Sequence, residues 1–388
     1  MRLRVKFIVA YTIEAGTYFR SHNLARALTR RGHEVVVSAV DPDAGASSRT
    51  EFRDEVRYEV IPDSRHAARF GSASHPVTAL RRARATSGTW DVIHLFQPFL
   101  SQALPWYASR GRPLRVYDWD DLWWGGALAA HAESFPAAWL NFWVRWLERR
   151  LPRQADLVTT CSEFLAARAR ARGARQTLVV HNGFWPALGT DRGAARATLG
   201  LASDAHYAGF MGRTADELRW CTTALRDAAA VQPNVRFAAC GFPESLLDTL
   251  EPDLRARVDY LGVLSPAETR RFAAAIDVGL LPLADTPFNQ SRFPIKFAEY
   301  LGARLPVLMS DVGECSWLAK SWPWVERVAA GEQAFRTGLV AMLGRIATGQ
   351  GPRVEMEIVT QALNWEHLGA QLEASYFEAI RARQMSQP

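Results

Sequence analysis

Short apolar runs alternate with helical patterns along the first half of the chain. The runs are rich in β-branched residues and predict strands; they cover residues 4–11, 33–40, 57–62, 91–96, 114–119, 155–161 and 177–182. Residues 17–32 have apolar positions at helical spacing and stop at Gly32, which predicts a helix directly after the first strand. Strands that are apolar on both faces and separated by helices indicate a parallel sheet covered on both sides.

The same alternation restarts in the second half. Residues 183–205 lose the pattern and predict a linker. Beyond them, strands are predicted at 206–212, 235–241, 257–262, 277–283 and 305–310, with helices between them. The fold prediction is therefore α/β, with two Rossmann-like, doubly wound parallel-sheet domains facing a cleft. Ligands of such sheets bind at the carboxyl ends of the strands.

Domain boundaries follow from this pattern. We expect an N-terminal domain over 1–185, a C-terminal domain over 186–364 and a tail helix over 365–388. The tail pattern is amphipathic, and we expect this helix to pack back on the N-terminal domain. The side chains available for the packing are Trp365, Leu368, Leu372 and either Tyr376 or Phe377.

Composition narrows the class of protein. With 388 residues, 48% of them apolar and 22% charged, the chain is globular and long enough for two domains. The apolar run near the start is too short for a secretory signal or a membrane span, so we expect a cytoplasmic protein. The cysteines lie far apart without a C-x-x-C pair, which argues against zinc sites and disulfides and predicts buried thiols. They are Cys161, Cys221, Cys240 and Cys315.

Charge is divided unevenly between the halves. Residues 1–185 hold 26 Lys and Arg against 17 Asp and Glu, a net charge of +9. Residues 186–388 hold 20 against 23, a net charge of −3. A basic first half indicates an anionic partner. An acidic membrane surface, a phosphorylated acceptor and nucleic acid all fit this charge.

A lysine and a glutamate form the first candidate site. Only three of the 46 basic residues are lysines, and one of them, Lys296, lies three positions before Glu299. Pro294 fits the first turn of a helix on which both side chains share a face. The helix start favours an anion, Glu299 could accept both hydroxyls of a ribose, and Lys296 could reach a phosphate. A surface ion pair is the plain alternative.

A second candidate follows the first strand of the second domain. Within residues 209–214, Gly212 allows the backbone to approach a ligand, and Arg213 places a guanidinium that suits a pyrophosphate. Alone, Arg213 is equally well explained as a surface side chain after a turn. Together with Lys296 it would neutralise a leaving nucleoside diphosphate, so we interpret both cations as catalytic.

Five segments carry a resemblance to a known family. They are GTYFRSHNLARALTRRGHEVVV, ADLVTTCSEFL, VVHNG, GFMGR and FPIKFAEYLGARLPVLMSDVGE. Over nearly its whole length the chain resembles the retaining GT-B glycosyltransferases of family four, also called glycosyl transferases group 1. The resemblance implies that Glu299 binds the ribose of a nucleotide-sugar donor and that Arg213 binds its pyrophosphate. It also implies that Gly16 lies in a glycine-bearing loop near the sugar and phosphate.

Two positions depart from the family pattern. The family often has a glutamate that contacts the transferred sugar where this chain has Ser291, and a lysine where it has Leu218. We hypothesise that Lys296 supplies the missing cation. The N–H groups of Ser291, Arg292 and Phe293 are predicted to help hold the diphosphate.

The first domain carries a D-x-D at Asp118 and Asp120. Such a pair can hold a divalent metal, although a turn or helix cap is the plain alternative. Two Rossmann halves favour a metal-free site, so we expect no metal. In the family that the chain resembles, the strand before this point often ends in a histidine near the reacting sugar. By that resemblance we interpret Asp118 as a catalytic residue that orients a sugar hydroxyl or the acceptor. Asp120, Asp121 and His94 are predicted on the acceptor side, and for His94 a core position is an equal alternative.

Residues 135–154 predict a helix with an aromatic stripe and arginines beside it. The stripe contains Phe135, Trp139, Phe142, Trp143, Trp146 and Leu147. A core helix of the first domain is the favoured interpretation. A helix lying on anionic lipid is the alternative.

The residues and the resemblance together predict a hexosyltransferase-like, retaining glycosyltransferase. It would move a sugar from a nucleotide-diphosphate donor to a glycan, lipid-linked or small-molecule acceptor, as in polysaccharide biosynthesis. We expect no metal or other cofactor and no nucleic-acid partner, with a peripheral position on the inner face of the membrane if residues 135–154 bind lipid. The alternatives are a nucleotide-sugar epimerase of the same architecture and a non-catalytic sugar-nucleotide-binding protein.

Overall fold

The chain divides into two compact units. The structure is a computed structural model that describes residues 1–9, 18–41, 43, 45–64, 74–86, 88–128, 134–186, 191–212 and 215–385. One unit comprises Met1–Asn182 together with Trp365–Pro388, and the other comprises Gly183–Asn364.

The first unit is built on an eight-stranded sheet with the order β3-β4-β2-β1-β5-β6-β7-β8. The strands are β1 (Arg4–Ile8), β2 (Glu34–Asp41), β3 (Arg49–Arg53), β4 (Val56–Pro62), β5 (Val92–Phe96), β6 (Leu114–Trp119), β7 (Leu157–Thr160) and β8 (Thr177–Val179). All neighbouring strands are parallel except β3, which pairs antiparallel with β4. The predicted strands are confirmed, because buried strands of a parallel sheet are read directly as apolar runs.

The helices described in the first half are α1 (Tyr18–Arg30), α2 (Pro76–Ala85), α3 (Leu100–Tyr107), α4 (Phe135–Gln154) and α5 (Glu163–Ala171). Strand β3 was not predicted. Its residues are polar and mostly exposed, and it lies at the edge of the sheet, where no apolar alternation is required.

The second unit contains a six-stranded, fully parallel sheet with the order β11-β10-β9-β12-β13-β14. Its strands are β9 (His206–Met211), β10 (Val235–Cys240), β11 (Val258–Tyr260), β12 (Val278–Leu281), β13 (Val307–Ser310) and β14 (Val325–Val328). Strand β14 was not predicted either. It also lies at an edge. Its four residues have a valine at each end and two charged residues in the middle, so they show no apolar run.

The helices of the second unit are α6 (Arg192–Leu199), α7 (Ala215–Val231), α8 (Pro252–Arg255), α9 (Pro266–Ala275), α10 (Pro287–Ser291), α11 (Ile295–Gly302), α12 (Gly313–Leu318), α13 (Glu332–Ala347) and α14 (Met356–Leu363). Short 3₁₀ helices cover Glu244–Leu247 and Ala319–Ser321. Helices α7 and α13 pack on the sheet and enclose the apolar core between them and strands β9, β10 and β13.

The predicted linker contains a helix, which corrects the prediction for residues 192–199. The Asp191 carboxylate caps α6 by accepting from the Ala194 N–H at 2.9 Å, and Gly200 ends it with a φ of 69°. The Arg196 guanidinium is buried and donates to Asp277 at 2.7 Å. Because an arginine rather than a leucine anchors this helix, the apolar pattern did not reveal it.

Helix α15 (Trp365–Met385) ends the described chain and belongs to the first unit. It packs along α1, where a Cβ on Gly369 would come within 2.5 Å of the Ala27 Cβ, so only glycine allows this approach. The buried side chains include Trp365, Leu368, Leu372 and Tyr376. Tyr376, rather than Phe377, is therefore the packing aromatic.

Candidate functional site

Strand β12 leads into two short helices, α10 and α11. The predicted Lys296 and Glu299 both lie on α11. Thr286 caps α10 by accepting from the Asn289 N–H at 3.2 Å, and Pro294 is the N-cap of α11 rather than part of its first turn. The Tyr300 hydroxyl accepts from the Met211 N–H at 3.1 Å and donates to the Gly209 carbonyl at 3.2 Å. These bonds tie α11 to the end of β9.

Glu299 carries a carboxylate with no hydrogen-bond or ion-pair partner in the part of the chain that the structure describes. It is half-buried on α11. Burial raises the pKa of Glu299 to about 7, and the positive charge of Arg270 opposes the shift. The group is therefore placed to accept hydrogen bonds from a ligand.

Lys296 and Arg292 share one counter-ion, Glu217, that the sequence did not reveal. Lys296 Nζ lies 3.2 Å from one Glu217 oxygen, and Arg292 Nη2 lies 2.8 Å from the other. Burial lowers the pKa of Lys296, while the Glu217 charge opposes that shift. Glu217 directly precedes Leu218, the position that departs from the family, and this adjacency is the only local signal for its role.

The side chains of Ser291 and Phe293 are buried and pack within the segment before and at the start of α11. Ser291 is fully buried, and its hydroxyl donates to the Phe288 carbonyl at 2.8 Å. Phe293 is buried edge-on against Phe297 with 5.8 Å between ring centroids. A donor contact through the backbone N–H groups of residues 291–293 stays a prediction.

Gly212 has a packing reason to be glycine. A Cβ there would lie 2.3 Å from the Phe210 ring, and its N–H already donates to the Cys240 carbonyl at 3.2 Å. A ligand approach at Gly212 therefore stays a prediction. Arg213 and Gly16 lie outside the described residues.

Asp118 lies in the interior of the first unit, and its predicted contact with a sugar or the acceptor stays a prediction. It is fully buried, and Arg20 donates to both of its oxygens at 2.8 and 2.9 Å. The Thr159 hydroxyl adds a hydrogen bond at 2.6 Å. Burial acts to lower the pKa of Arg20, but the charge and hydrogen bonds of the paired Asp118 have the larger effect and raise this pKa. The buried pair therefore joins α1 to strand β6.

His94 belongs to the same interior, and its acceptor-side role stays a prediction. Its ring nitrogens lie 2.6 Å from the Tyr376 hydroxyl and 3.1 Å from the Thr159 hydroxyl. Burial lowers the pKa of His94 to about 3, with Asp118 opposing the shift, so the ring is neutral. His94 has the core position that the sequence allowed, and its contact with Tyr376 joins α15 to the sheet.

Asp120 is also buried, with the Trp123 indole N–H donating to it at 3.3 Å, and its acceptor-side role stays a prediction. Burial and the neighbouring Asp121 and Asp118 raise its pKa. Asp121 is half-buried and stays an acceptor-side prediction. Within the described ranges, no cluster of three or more His, Cys, Asp or Glu side chains is arranged to hold a metal ion.

Helix α4 buries a different face from the predicted one. Its buried side chains are Val144, Leu147, Glu148, Leu151 and Pro152. Of the predicted stripe, only Leu147 is fully buried, while Phe135 and Phe142 are each 58% exposed. The helix therefore packs on the first unit, as the favoured interpretation expected, but Leu147 is the only fully buried member of the stripe. Among the described helices, none combines the length and apolar character needed to cross a bilayer.

All four cysteines are free and buried, as predicted.

Comparison with known proteins places the chain in a family. The glycosyl transferase 4-like domain matches residues 15–183, and glycosyl transferases group 1 matches residues 205–335. The putative teichuronic acid biosynthesis glycosyltransferase TuaH of Bacillus subtilis is 23% identical over 341 residues, which is 81% of this chain and 81% of TuaH.

Solved structures share the fold. Sucrose-phosphate synthase from Thermosynechococcus elongatus has a TM-score of 0.74 and 19% identity, covering 98% of this chain and 100% of that one. HepE from Anabaena, solved in complex with UDP and glucose, has a TM-score of 0.68 and 16% identity, covering 97% and 100%. The two matches follow one another along the chain, which is therefore a glycosyltransferase with a glycosyl transferase 4-like domain and a glycosyl transferases group 1 domain, and the solved structures show the GT-B fold.

Proposed function

We propose that this glycosyltransferase moves a hexosyl group from a nucleoside-diphosphate sugar to an acceptor with retention of anomeric configuration and without a metal ion. The observation that carries the proposal is the arrangement on and before α11. There, a carboxylate without a partner among the described residues, Glu299, lies one helical turn from the Lys296–Glu217–Arg292 cluster. A carboxylate beside a pair of cations matches a ribose joined to a diphosphate.

Each group has a defined task in this proposal. Glu299 accepts the two vicinal ribose hydroxyls in charge-assisted hydrogen bonds. Lys296 and Arg292 stabilise the negative charge that develops on the diphosphate as the bond to the sugar breaks. The start of α11 adds its partial positive charge. Arg213, placed by the sequence at the end of β9, is proposed to join them.

The comparisons support the substrate class. HepE was solved with UDP and glucose, and TuaH is named for teichuronic acid biosynthesis. By analogy we propose a nucleotide sugar as donor and a growing polysaccharide, or its lipid-linked precursor, as acceptor. The epimerase alternative has no observation in its favour.

Stereochemistry provides the test of the reaction. A thermal-shift panel of UDP, GDP, ADP and TDP sugars identifies the donor, because a ligand of the folded state raises the melting temperature. We expect proton NMR of the transfer product to show the anomeric configuration of the donor, and EDTA to leave the rate unchanged. An inverted product refutes retention, and loss of activity with EDTA that magnesium restores refutes metal independence.

We further propose that the exposed face of α4 rests on an anionic membrane. Phe135, Trp139, Trp143 and Trp146 follow one another along the helix in ring contacts of 5.7 to 6.3 Å. Such amphipathic rings suit the headgroup region of a bilayer.

The charges of α4 match the same partner. Its four arginines, Arg145, Arg149, Arg150 and Arg153, are all exposed. Its only acidic residue, Glu148, is buried and accepts the Trp123 N–H at 3.0 Å. The charged side chains on the exposed face of the helix are therefore all cationic, which is complementary to anionic lipid.

Vesicle flotation tests the membrane proposal. We expect the protein to float with phosphatidylglycerol-containing vesicles at low salt and not with pure phosphatidylcholine, because the arginines need an anionic surface. Phe142→Ser should reduce vesicle binding roughly tenfold, because it removes exposed apolar area that the membrane would bury. Val263→Ser, which removes an apolar side chain that is 83% exposed in the other unit, is the matched control. Equal binding to both vesicles, or equal loss in both variants, contradicts the proposal.

A further inference from the structure

A groove lies between helix α2 and the edge of the sheet in the first unit. Its volume is about 740 Å³, which falls within the range of small-molecule sites, about 300–1,000 Å³. Strands β3 and β4, with the residue before β3, form one side, and the second half of α2 forms the other. We call it the α2 groove. Its polar lining residues are Ser48, Arg49, Thr50, Glu59, Arg81 and Arg84.

The single carboxylate in the lining does not neutralise the arginines of the groove. Glu59 contacts the buried Lys6 Nζ and lies 3.3 Å from Arg57 Nη2, so its charge is already shared by two cations outside the lining. Arg49 is paired with carboxylates of β2 and β3. The positive charge that is left in the groove belongs to the two arginines of α2.

These two arginines have no carboxylate partner in the part of the chain that the structure describes. Arg81 is exposed and donates to the carbonyls of Pro62 and Asp63 at 3.4 and 3.0 Å. Arg84 is exposed in the last turn of α2, and its guanidinium has neither a hydrogen bond nor an ion pair with a described residue. The partial negative charge at the helix end, about half a unit, is too small to balance both groups.

A third arginine of α2 adds to the local positive charge. Arg82 is fully buried, and its Nη2 donates to the Ser38 carbonyl at 2.8 Å. Its Nε and Nη1 have no hydrogen-bond partner among the described residues. Burial lowers the pKa of Arg82 to about 9, with the charge of Asp63 opposing the shift. Because solvent does not reach this guanidinium, a nearby negative charge stabilises it more than it would a solvated one.

The charge and the donors of the α2 groove match a phosphate group. Guanidinium groups bind phosphate oxygens in pairs of charge-assisted hydrogen bonds, and the hydroxyls of Ser48 and Thr50 add donors on the opposite side. A phosphate ester carries about −1.5 to −2 charges at pH 7, which balances two arginines better than one carboxylate does. The groove is larger than one phosphate, so the ligand also carries an organic group.

We propose that the α2 groove binds a phosphate-bearing organic anion through Arg81 and Arg84. The groove belongs to the first unit, whereas Lys296 and Glu299 belong to the second, so this site is additional to the proposed donor site. It gives a location to the anionic partner that the charge of the first half predicts. Two sources share the chemistry, a soluble phosphorylated metabolite and the headgroup of an anionic lipid.

Calorimetry with pyrophosphate tests the soluble source. The titrations use Lys296→Ala as the background, because that substitution weakens the proposed diphosphate site in the other unit. At low salt, we expect Arg81→Gln and Arg84→Gln each to weaken pyrophosphate roughly tenfold by removing a charge-assisted contact. Arg381→Gln is the matched control, since Arg381 is exposed on α15 in the same unit and does not line the groove.

Vesicle flotation tests the lipid source with the same three substitutions. Phosphatidylcholine vesicles are compared with and without phosphatidic acid, and thermal unfolding of each variant checks the fold. Weaker pyrophosphate binding in the two groove variants alone supports a soluble ligand. Absence of pyrophosphate binding, with flotation on phosphatidic acid reduced in the groove variants alone, supports a lipid headgroup. If the control loses as much as the groove variants, or if neither measurement separates them from the background protein, the proposal is overturned.

Discussion

Replacing Glu299 with alanine is expected to weaken binding of the nucleoside diphosphate by roughly a hundredfold. The proposed role of the carboxylate is to accept two ribose hydroxyls, and hydrogen bonds to a charged group contribute about 1.5–3 kcal/mol each. Two of them amount to about 3 kcal/mol or more, which is a factor of roughly a hundred in affinity. Calorimetry on the purified variant measures the loss directly.

The pH dependence of donor affinity is a second, independent test of the role of Glu299. Because burial raises the pKa of Glu299 to about 7, the carboxyl is increasingly protonated below that pH and accepts the ribose hydroxyls poorly. Donor affinity should therefore rise with pH through about 7 and level off above it. Glu299→Gln should abolish this rise.

The control is Glu357→Ala, which removes an exposed glutamate from α14 in the same unit. Its affinity and pH profile should match the wild-type protein. Unchanged nucleotide affinity in Glu299→Ala would contradict the ribose assignment, and with it the observation on which the proposed function depends.

The second large effect concerns stability. Asp118→Asn should lower the free energy of unfolding by about 3–5 kcal/mol, because it leaves the buried guanidinium of Arg20 without its counter-ion. Arg20 and Asp118 are both fully enclosed and joined by two hydrogen bonds. Urea unfolding followed by tryptophan fluorescence measures the change.

The chain contains a matched pair in a different environment. Arg336 and Asp227 form the same two-bond geometry at 2.7 and 3.0 Å, but their side chains are about one-third exposed. Asp227→Asn should cost less than about 1 kcal/mol. If Asp118→Asn were as stable as Asp227→Asn yet lost turnover, the result would favour the catalytic role that the sequence predicts for Asp118 over a structural one.

Local patterns explain why so much of the architecture was predictable. Buried parallel strands must be apolar on both faces, so β5 or β13 is recognisable from a few consecutive residues. Edge strands carry no such requirement, and β3 and β14 were missed for that reason. Helix α6 was missed because its anchor is Arg196, whose buried ion pair with Asp277 has no counterpart in a hydrophobic pattern.

In the candidate site, too, residues close together along the chain were predictable and contacts between distant residues were not. Lys296 and Glu299 share one helix, so their spacing alone placed them together. Glu217 is 79 residues from Lys296, and the pairing depends on how α7 packs beside α10 and α11. The aromatic stripe of α4 was assigned to the core because spacing shows that residues share a face but not which face a neighbour covers.

The sequence by itself determined the α/β class, the sequence of strands, the family and the helix that carries Lys296 and Glu299, because each of these is written in residues close together along the chain. Only the tertiary structure decided which polar residues are enclosed and which remain available. The spacing of Asp118 and Asp120 suggested a ligand site. Both oxygens of Asp118, however, accept hydrogen bonds from Arg20, which is 98 residues away along the chain. Burial and charge pairing depend on contacts between distant segments, and those contacts exist only once the sheets have formed.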